Sequence, residues 1–286
     1  MKKILVTGAT GQLGSELKVL SNNYSQFEWV FADRTQVSLD NLSVLQSQLE
    51  TIDPDFILNC GAHTAVDKAE TEQELADVVN HLAVAIIALY ANKNKAKLIH
   101  ISTDYVFDGT SSIALTEEAI THPVNVYGAT KRAGELACLK LNSDAIIVRT
   151  SWVYSRFGNN FVKTMQRLLQ ERDTISVVND QIGSPTYAAD LAQVIMDIVT
   201  AQDWNPGIYN YSNEGGVSWY EFVLAIQEIG GYTCEVFGIR SSAYPTPAKR
   251  PAYSLLDKSK IKQVYGVVVP DYKVSLRGCM KLLRSE

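Results

Sequence analysis

A doubly wound parallel α/β sheet with a smaller unit at its C-terminal side is the fold this sequence predicts. Two observations carry that expectation. Short apolar runs alternate with longer amphipathic stretches through the first half of the chain. A glycine-rich turn, Gly8-Ala9-Thr10-Gly11-Gln12-Leu13-Gly14, falls between the first run and the first amphipathic stretch. Strands covered on both faces read as unbroken runs of Ile, Leu, Val and Phe, and helical spacers supply right-handed crossovers between them.

Taken in order, the predicted strands are Lys3–Thr7, Glu28–Ala32, Phe56–Cys60, Lys97–Ser102 and Ala145–Arg149, each dominated by large apolar residues. Between them the apolar spacing becomes helical, at Gln12–Leu20, Ser43–Thr51, Ala76–Asn92 and Val126–Leu141. Beyond Arg149 the rhythm loosens: helices are expected at Phe161–Gln170, Tyr187–Thr200 and Trp219–Ile229, with a short strand at Gly207–Tyr211. The division that follows gives residues 1–165 mostly to the sheet. Residues 166–286 go mostly to the smaller unit, with about 185–212 returning to the sheet. In such folds the ligand cleft lies outside the carboxyl ends of the strands, where that unit would close it.

Composition removes several functions. The 286 residues are 46% hydrophobic and 20% charged, and 26 Lys+Arg against 31 Asp+Glu leave a net charge of −5. Nucleic acids and anionic membrane surfaces need a concentrated positive field, so neither is expected as the main partner. The longest apolar stretch, Val78 to Ala91, is interrupted by Asn80, His81 and Tyr90. It falls short of the ~20 residues that a bilayer needs. The apolar run after Lys2-Lys3 stops at Gly8, without the longer core of a secretory leader. Cys60, Cys138, Cys234 and Cys279 form no CxxC pair and no zinc spacing, which suits a reduced, cytoplasmic protein.

The turn Gly8, Gly11, Gly14 is a G-x-x-G-x-x-G variant of the dinucleotide fingerprint of the Rossmann fold. Glycines let the backbone turn tightly against a pyrophosphate, and the helix N-terminus favours its charge. Asp33, about twenty residues on, suits a ribose 2′-hydroxyl and hence NAD; Arg34 beside it suits a 2′-phosphate and hence NADP. Both cofactors stay open. Asp40-Asn41 falls where the adenine would lie, or else caps the helix that follows.

Tyr127-Gly128-Ala129-Thr130-Lys131 is a Y-x-x-x-K motif, and residues at i and i+4 share one helix face. An ammonium beside a phenol stabilises the phenolate and brings a proton donor of ordinary pKa ~10 toward working range. Ser102-Thr103-Asp104 ends the preceding strand and would aim a hydroxyl into the same cleft.

Glycine fingerprint, strand-end Ser/Thr and Y-x-x-x-K in this order resemble the extended short-chain dehydrogenase/reductases that act on nucleotide sugars. Longer strings narrow the likeness: Ala62-His63-Thr64-Ala65-Val66-Asp67-Lys68-Ala69-Glu70, Ser102-Thr103-Asp104-Tyr105-Val106-Phe107-Asp108-Gly109, Asn125-Val126-Tyr127-Gly128, Arg149-Thr150-Ser151-Trp152-Val153-Tyr154, and Tyr244-Pro245-Thr246-Pro247-Ala248 with Arg250-Pro251. Together they resemble the dTDP-4-dehydrorhamnose reductase family from Lys3 to near Tyr272.

The resemblance implies NADPH or NADH as cofactor and a dTDP-sugar as substrate, and it allows a homodimer. Tyr127 would donate the proton, Lys131 would lower its pKa and touch the ribose, and Thr103 would orient the sugar carbonyl. Asp104 and Trp152 would contact the sugar. Arg250 would hold a nucleotide phosphate or else pair with a carboxylate. Gly11, Gln12 and Leu13 would contact the pyrophosphate, Asp33, Asp40 and Asn41 the adenosine, and Ala62, His63 and Thr64 the nicotinamide half. Some members bind Mg²⁺ through carboxylates. Glu16 matches one such position, but Ala189 stands at the second, with Asp190 adjacent, so no metal is expected. Two rivals share the fold: a nucleotide-sugar dehydratase or epimerase, and a non-catalytic NADP-binding subunit like the β subunit of methionine adenosyltransferase. A dehydratase commonly carries Asp-Glu after the strand-end Thr, where this chain has Asp104-Tyr105.

Overall fold

The computed structural model describes residues 1–284. Six parallel strands form the central sheet: β1 (Lys2–Thr7), β2 (Phe27–Phe31), β3 (Phe56–Asn59), β4 (Lys97–Thr103), β5 (Ile146–Thr150) and an edge strand, Gly207–Asn210. From one edge the order is the 207–210 strand, β5, β4, β3, β1, β2. The chain therefore reverses its direction of travel between β1 and β3, and a crevice opens at that switch point.

Alternation along the strands explains the two cores. Ile4 and Val6 face one side, with Leu58, Ile99 and Val148, and are covered by α1 (Gln12–Leu20) and by the returning helix Ala188–Thr200. Leu5 faces the other side with Ile57, Leu98 and Ile147, covered by α2 (Leu42–Ile52) and α3 (Gln73–Asn94). A third core lies in the C-terminal half, where Tyr154, Val162, Phe222, Ile226, Leu276 and Met280 meet.

Several elements differ from expectation. α3 is longer than the stretch read as 76–92, and it contains a π-helical turn at Val78–Leu82. By length and apolarity alone it could cross a membrane, yet Ala83, Val84, Ile87, Ala88 and Ala91 are buried against the sheet. Its apolarity is that of a core helix. The boundary near 165 falls inside the helix Phe161–Glu171, whose Val162 and Leu169 both belong to the third core. Ile261, Val267 and Val269 join the sheet's core, so the chain returns to the sheet beyond 212 as well. The parallel pair Thr174–Val178 and Glu235–Ile239 and the helices Ser259–Tyr265 and Tyr272–Leu283 were not legible as apolar runs. Glu235–Ile239 is largely open to solvent, so it carries no buried-strand signature.

Candidate active site

At the switch point, Gly8 has φ +64, and a Cβ there would come within 2.7 Å of Gly61 Cα at the end of β3. A Cβ on Gly14 would sit 2.5 Å from Gly8 O. Both glycines are required by close approach of backbone to backbone. Gly11 caps α1 without any side-chain bond, and the helix's first turn holds no acid. The bare amides and the helix dipole make a cradle for an anion, and the residues present fit a pyrophosphate. Leu13 is buried in the sheet's core, leaving only its backbone for that role. The Gln12 side chain reaches across instead, donating to Val153 O (3.3 Å) and accepting from Asn160 Nδ2 (3.0 Å).

Asp33, past the end of β2, is exposed, and its Oδ1 accepts from Thr35 Oγ1 (2.6 Å), Thr35 N (2.8 Å) and Gln36 N (3.2 Å). The Thr35 hydroxyl in particular holds the carboxyl below its usual range. Arg34 is exposed beside it. The helix cap expected of Asp40-Asn41 is Asn41, which accepts from Ser43 N (3.3 Å) and Oγ (2.7 Å). Asp40 accepts from Ser38 Oγ at 2.9 Å.

After β3 the chain runs through partly buried Ala62, His63 and exposed Thr64. The π turn in α3 places Asn80 where it grips this segment from both sides: His63 N–H donates to Asn80 Oδ1 (2.9 Å), and Asn80 Nδ2 donates to His63 O (3.1 Å). His63 Nε2 lies 2.9 Å from Glu72 Oε2. The imidazole is thus anchored to a carboxylate through Nε2, both backbone polar groups are held by Asn80, and Nδ1 is left without a hydrogen-bond partner among the described residues.

The helix α4 (Val126–Leu141) brings the Y-x-x-x-K motif to the carboxyl end of β4. Asn125 caps it, accepting from Gly128 N at 2.7 Å, and Val126 N–H donates to Glu70 Oε1 at 2.9 Å. A Cβ on Gly128 would lie 2.2 Å from Tyr105 O, and one on Gly134 2.1 Å from Asn80 O. Gly128 lets α4 lie directly on the turn that ends β4, and Gly134 lets it lie on the π turn of α3. Gly128→Ala should therefore push Tyr127 away from Thr103 and cost most of any turnover. A folded variant of near-normal rate would show that the contact does not set the site.

Tyr127 packs edge-on to Tyr105, with ring centroids 5.5 Å apart. Burial pushes its phenol up to about 12, partly offset by a hydrogen bond with Thr103 and reinforced by the Asp104 charge. Lys131 is buried, its Nζ donates to Ile101 O at 2.6 Å, and burial lowers its pKa to about 8 against the pull of Glu135. The Lys131 ammonium is directed at the Ile101 carbonyl, and burial dominates the phenol.

Asp104 corrects another expectation. It is 1% exposed, its Oδ1 accepts from Thr103 Oγ1 (3.1 Å) and its Oδ2 from Ser254 Oγ (2.6 Å). A carboxylate so enclosed has no face left for a sugar. Trp152, at φ +46, stacks on Trp219 with centroids 3.5 Å apart, which leaves at most its other face for a ligand. Arg250 forks onto Asp67 (2.8 and 3.1 Å) and donates to Ala248 O (3.1 Å), so the carboxylate pairing is the one realised. Glu16 is buried and accepts from Ser155 Oγ at 2.6 Å, while Asp190 accepts from Asn213 Nδ2 at 2.6 Å.

Four contributors were not singled out from the sequence. Asn80 read as an interruption in an apolar stretch, and Ser254 carried no signal. Glu135 and Arg149 form a buried pair beneath the motif, with both guanidinium bonds at 2.8 Å. Their signal was a charge inside a strand and a charge on the motif helix's inner face, legible only once the two elements are placed together.

The family model described as the RmlD substrate binding domain matches residues 1–285. The chain is 40% identical over 288 residues to a dTDP-4-dehydrorhamnose reductase of Aggregatibacter actinomycetemcomitans, covering 97% of this chain and 98% of that one. A dTDP-4-dehydrorhamnose reductase structure from Clostridium acetobutylicum superposes with a TM-score of 0.95 at 36% identity, over 99% of both chains. One from Bacillus anthracis, in complex with NADP, gives 0.94 at 37% identity, over 99% of this chain and 100% of that one. Together with the glycine cradle and the Tyr127 helix on the end of β4, these likenesses show that the chain belongs to the RmlD substrate binding domain family.

Proposed function

We propose that the chain reduces the 4-keto group of dTDP-4-dehydro-6-deoxy-L-mannose to give dTDP-β-L-rhamnose, using NADPH or NADH. The observation that carries this reading is the Tyr127 phenol at the Thr103 hydroxyl, on a strand end beside an uncapped, glycine-lined helix N-terminus. The dinucleotide, cradled by the Gly8–Gly14 turn, supplies the hydride when bound. Tyr127 carries the proton for the developing alkoxide. A phenol kept at about 12 is fully protonated at neutral pH, and it is still a far stronger acid than the alcohol it helps to form. Lys131 is held one helical turn on and supplies a buried positive end to the cleft. Trp152 closes the cleft on the sugar side. Soluble, cytoplasmic biosynthesis suits four cysteines that form no disulfide among the described residues, and the acidic balance of the chain.

Asp33 favours NADH through its free Oδ2, while Arg34 favours NADPH. Asp33→Ala should weaken NADH several-fold more than NADPH, as read by titration of each dinucleotide. Equal losses would remove Asp33 from the ribose. The function itself is tested by incubating the purified chain with the dTDP-4-keto sugar and each reduced dinucleotide. Formation of dTDP-rhamnose is expected. Conversion of a dTDP-hexose without net oxidation of the dinucleotide would favour a dehydratase or epimerase, and binding without turnover a regulatory subunit.

A further inference from the structure

We propose that Asn59, braced by His100, is a positioning residue for the dinucleotide turn, acting through the Thr7 hydroxyl to hold Gly61 against Gly8. The proposal rests on the reading of the Gly8–Gly14 turn as a dinucleotide cradle. It adds a row of buried polar side chains behind that turn.

Polar side chains are out of place inside a parallel sheet covered on both faces. Thr7, Asn59 and His100 nevertheless stand side by side across β1, β3 and β4, with Thr7 in register with Asn59 and Asn59 with His100. They are 1%, 1% and 0% exposed. Strand alternation puts them on the same face as Leu5, Ile57 and Leu98. Groups buried this deeply are costly unless each finds a hydrogen bond, and these find them in one another.

The bonds run in one direction. Gly61 N–H donates to Thr7 Oγ1 at 3.2 Å, so the Thr7 hydroxyl gives its own proton to Asn59 Oδ1, 2.7 Å away. That turns the Asn59 amide nitrogen toward His100 Nδ1, which accepts from it at 3.0 Å. The imidazole is then neutral, with its proton on Nε2, an atom that has no partner among the described residues. Complete burial, with the Lys131 charge adding to it, holds His100 well below its ordinary range. An acceptor fixed at Nδ1 permits one orientation of the amide. That orientation gives Thr7 its acceptor and leaves Thr7 Oγ1 to receive Gly61.

Gly61 is where the row meets the cradle. A Cβ on Gly8 would come within 2.7 Å of both Gly61 N and Gly61 Cα. One on Gly61 would lie 3.4 Å from Gly8 N and from Thr7 Oγ1. The backbone at Gly61 is thus the floor on which the turn rests. Gly61 is only partly buried, so without Thr7 Oγ1 its N–H turns to water. Each dinucleotide that enters must then reverse that change, and its affinity falls accordingly.

The test compares full-length wild type, Thr7→Val, Thr7→Ser, Asn59→Leu and the double variant Thr7→Val with Asn59→Leu. It measures dinucleotide affinity by titration and KM for the keto sugar. A buried hydrogen bond left unmade is worth about tenfold. Thr7→Val should weaken the dinucleotide by about that factor, with a much smaller change in the sugar KM, and Thr7→Ser should restore it. Asn59→Leu should weaken the dinucleotide several-fold. The double variant should bind no more weakly than Thr7→Val, because the two side chains act in series. Imidazole nitrogen NMR reads the brace directly. His100, identified by the signal lost in His100→Gln, should carry its proton on Nε2, and Asn59→Asp, which can only accept, should move it to Nδ1. A folded Thr7→Val of wild-type affinity overturns the proposal. So do equal losses for dinucleotide and sugar, additive losses in the double variant, or a wild-type His100 protonated on Nδ1. Failure of the underlying reading is separate: it shows as a wild-type chain that binds no dinucleotide, and it removes the proposal with it whatever tautomer His100 adopts.

Discussion

Tyr127→Phe should lower turnover of the keto sugar by about 10²–10⁴, the range expected for removal of a general acid, while the fold and dinucleotide affinity survive. The ring packing against Tyr105 does not need the hydroxyl, so the loss isolates the proton. Lys131→Met should impair turnover and dinucleotide affinity together. It removes a buried ammonium and leaves the Ile101 carbonyl without its 2.6 Å donor. The two side chains serve one site, so the double variant should be scarcely slower than the worse single one. Turnover of all four proteins, with dinucleotide affinity measured separately, decides the matter. Near-normal rates in a folded Tyr127→Phe protein would move the proton donor elsewhere, and strictly multiplicative losses would separate the roles of the two residues.

Glu135→Ala should be the most destabilising single change, at about 3–5 kcal/mol, because it strands a buried guanidinium. Arg149 is 1% exposed and Glu135 0%, and Arg132 adds a third bond to the same carboxylate at 3.1 Å. Removing both partners together, as Glu135→Leu with Arg149→Met, should recover much of the loss, since two well-packed apolar side chains need no desolvation of charge. Denaturant midpoints at constant slope would measure both. A single-variant loss below about 1 kcal/mol would show that the pair is as lightly held as a surface ion pair. The pair also lies directly under the motif helix, so its stability holds α4 against β5.

What the sequence made legible follows periodicity and backbone constraint. The strands Lys2–Thr7, Phe56–Asn59 and Ile146–Thr150 are buried along nearly their whole length, and a run such as Ile4-Leu5-Val6 has no other stable home. The glycine turn was legible because Gly8 and Gly14 answer to close backbone contacts that any side chain would break. Hydroxyl and carboxylate partners were another matter. Asp104 follows Thr103 at a strand end and looked like a substrate contact, and only its burial under Ser254, 150 residues away, shows otherwise. Arg250 and Asp67, 183 residues apart, have the same history. Apolar patterning reports which face is buried; it carries no record of which polar atom meets which across the chain.

The central claim is that this chain is a reductase that consumes its dinucleotide. The direct measurement mixes the purified protein with the dTDP-4-keto sugar and limiting NADPH, and follows both the dinucleotide and the sugar product. One equivalent of NADPH oxidised for each dTDP-rhamnose formed, with Tyr127→Phe suppressing both together, is the predicted result. Product formed with no net loss of NADPH, or NADPH bound and never oxidised, would contradict it.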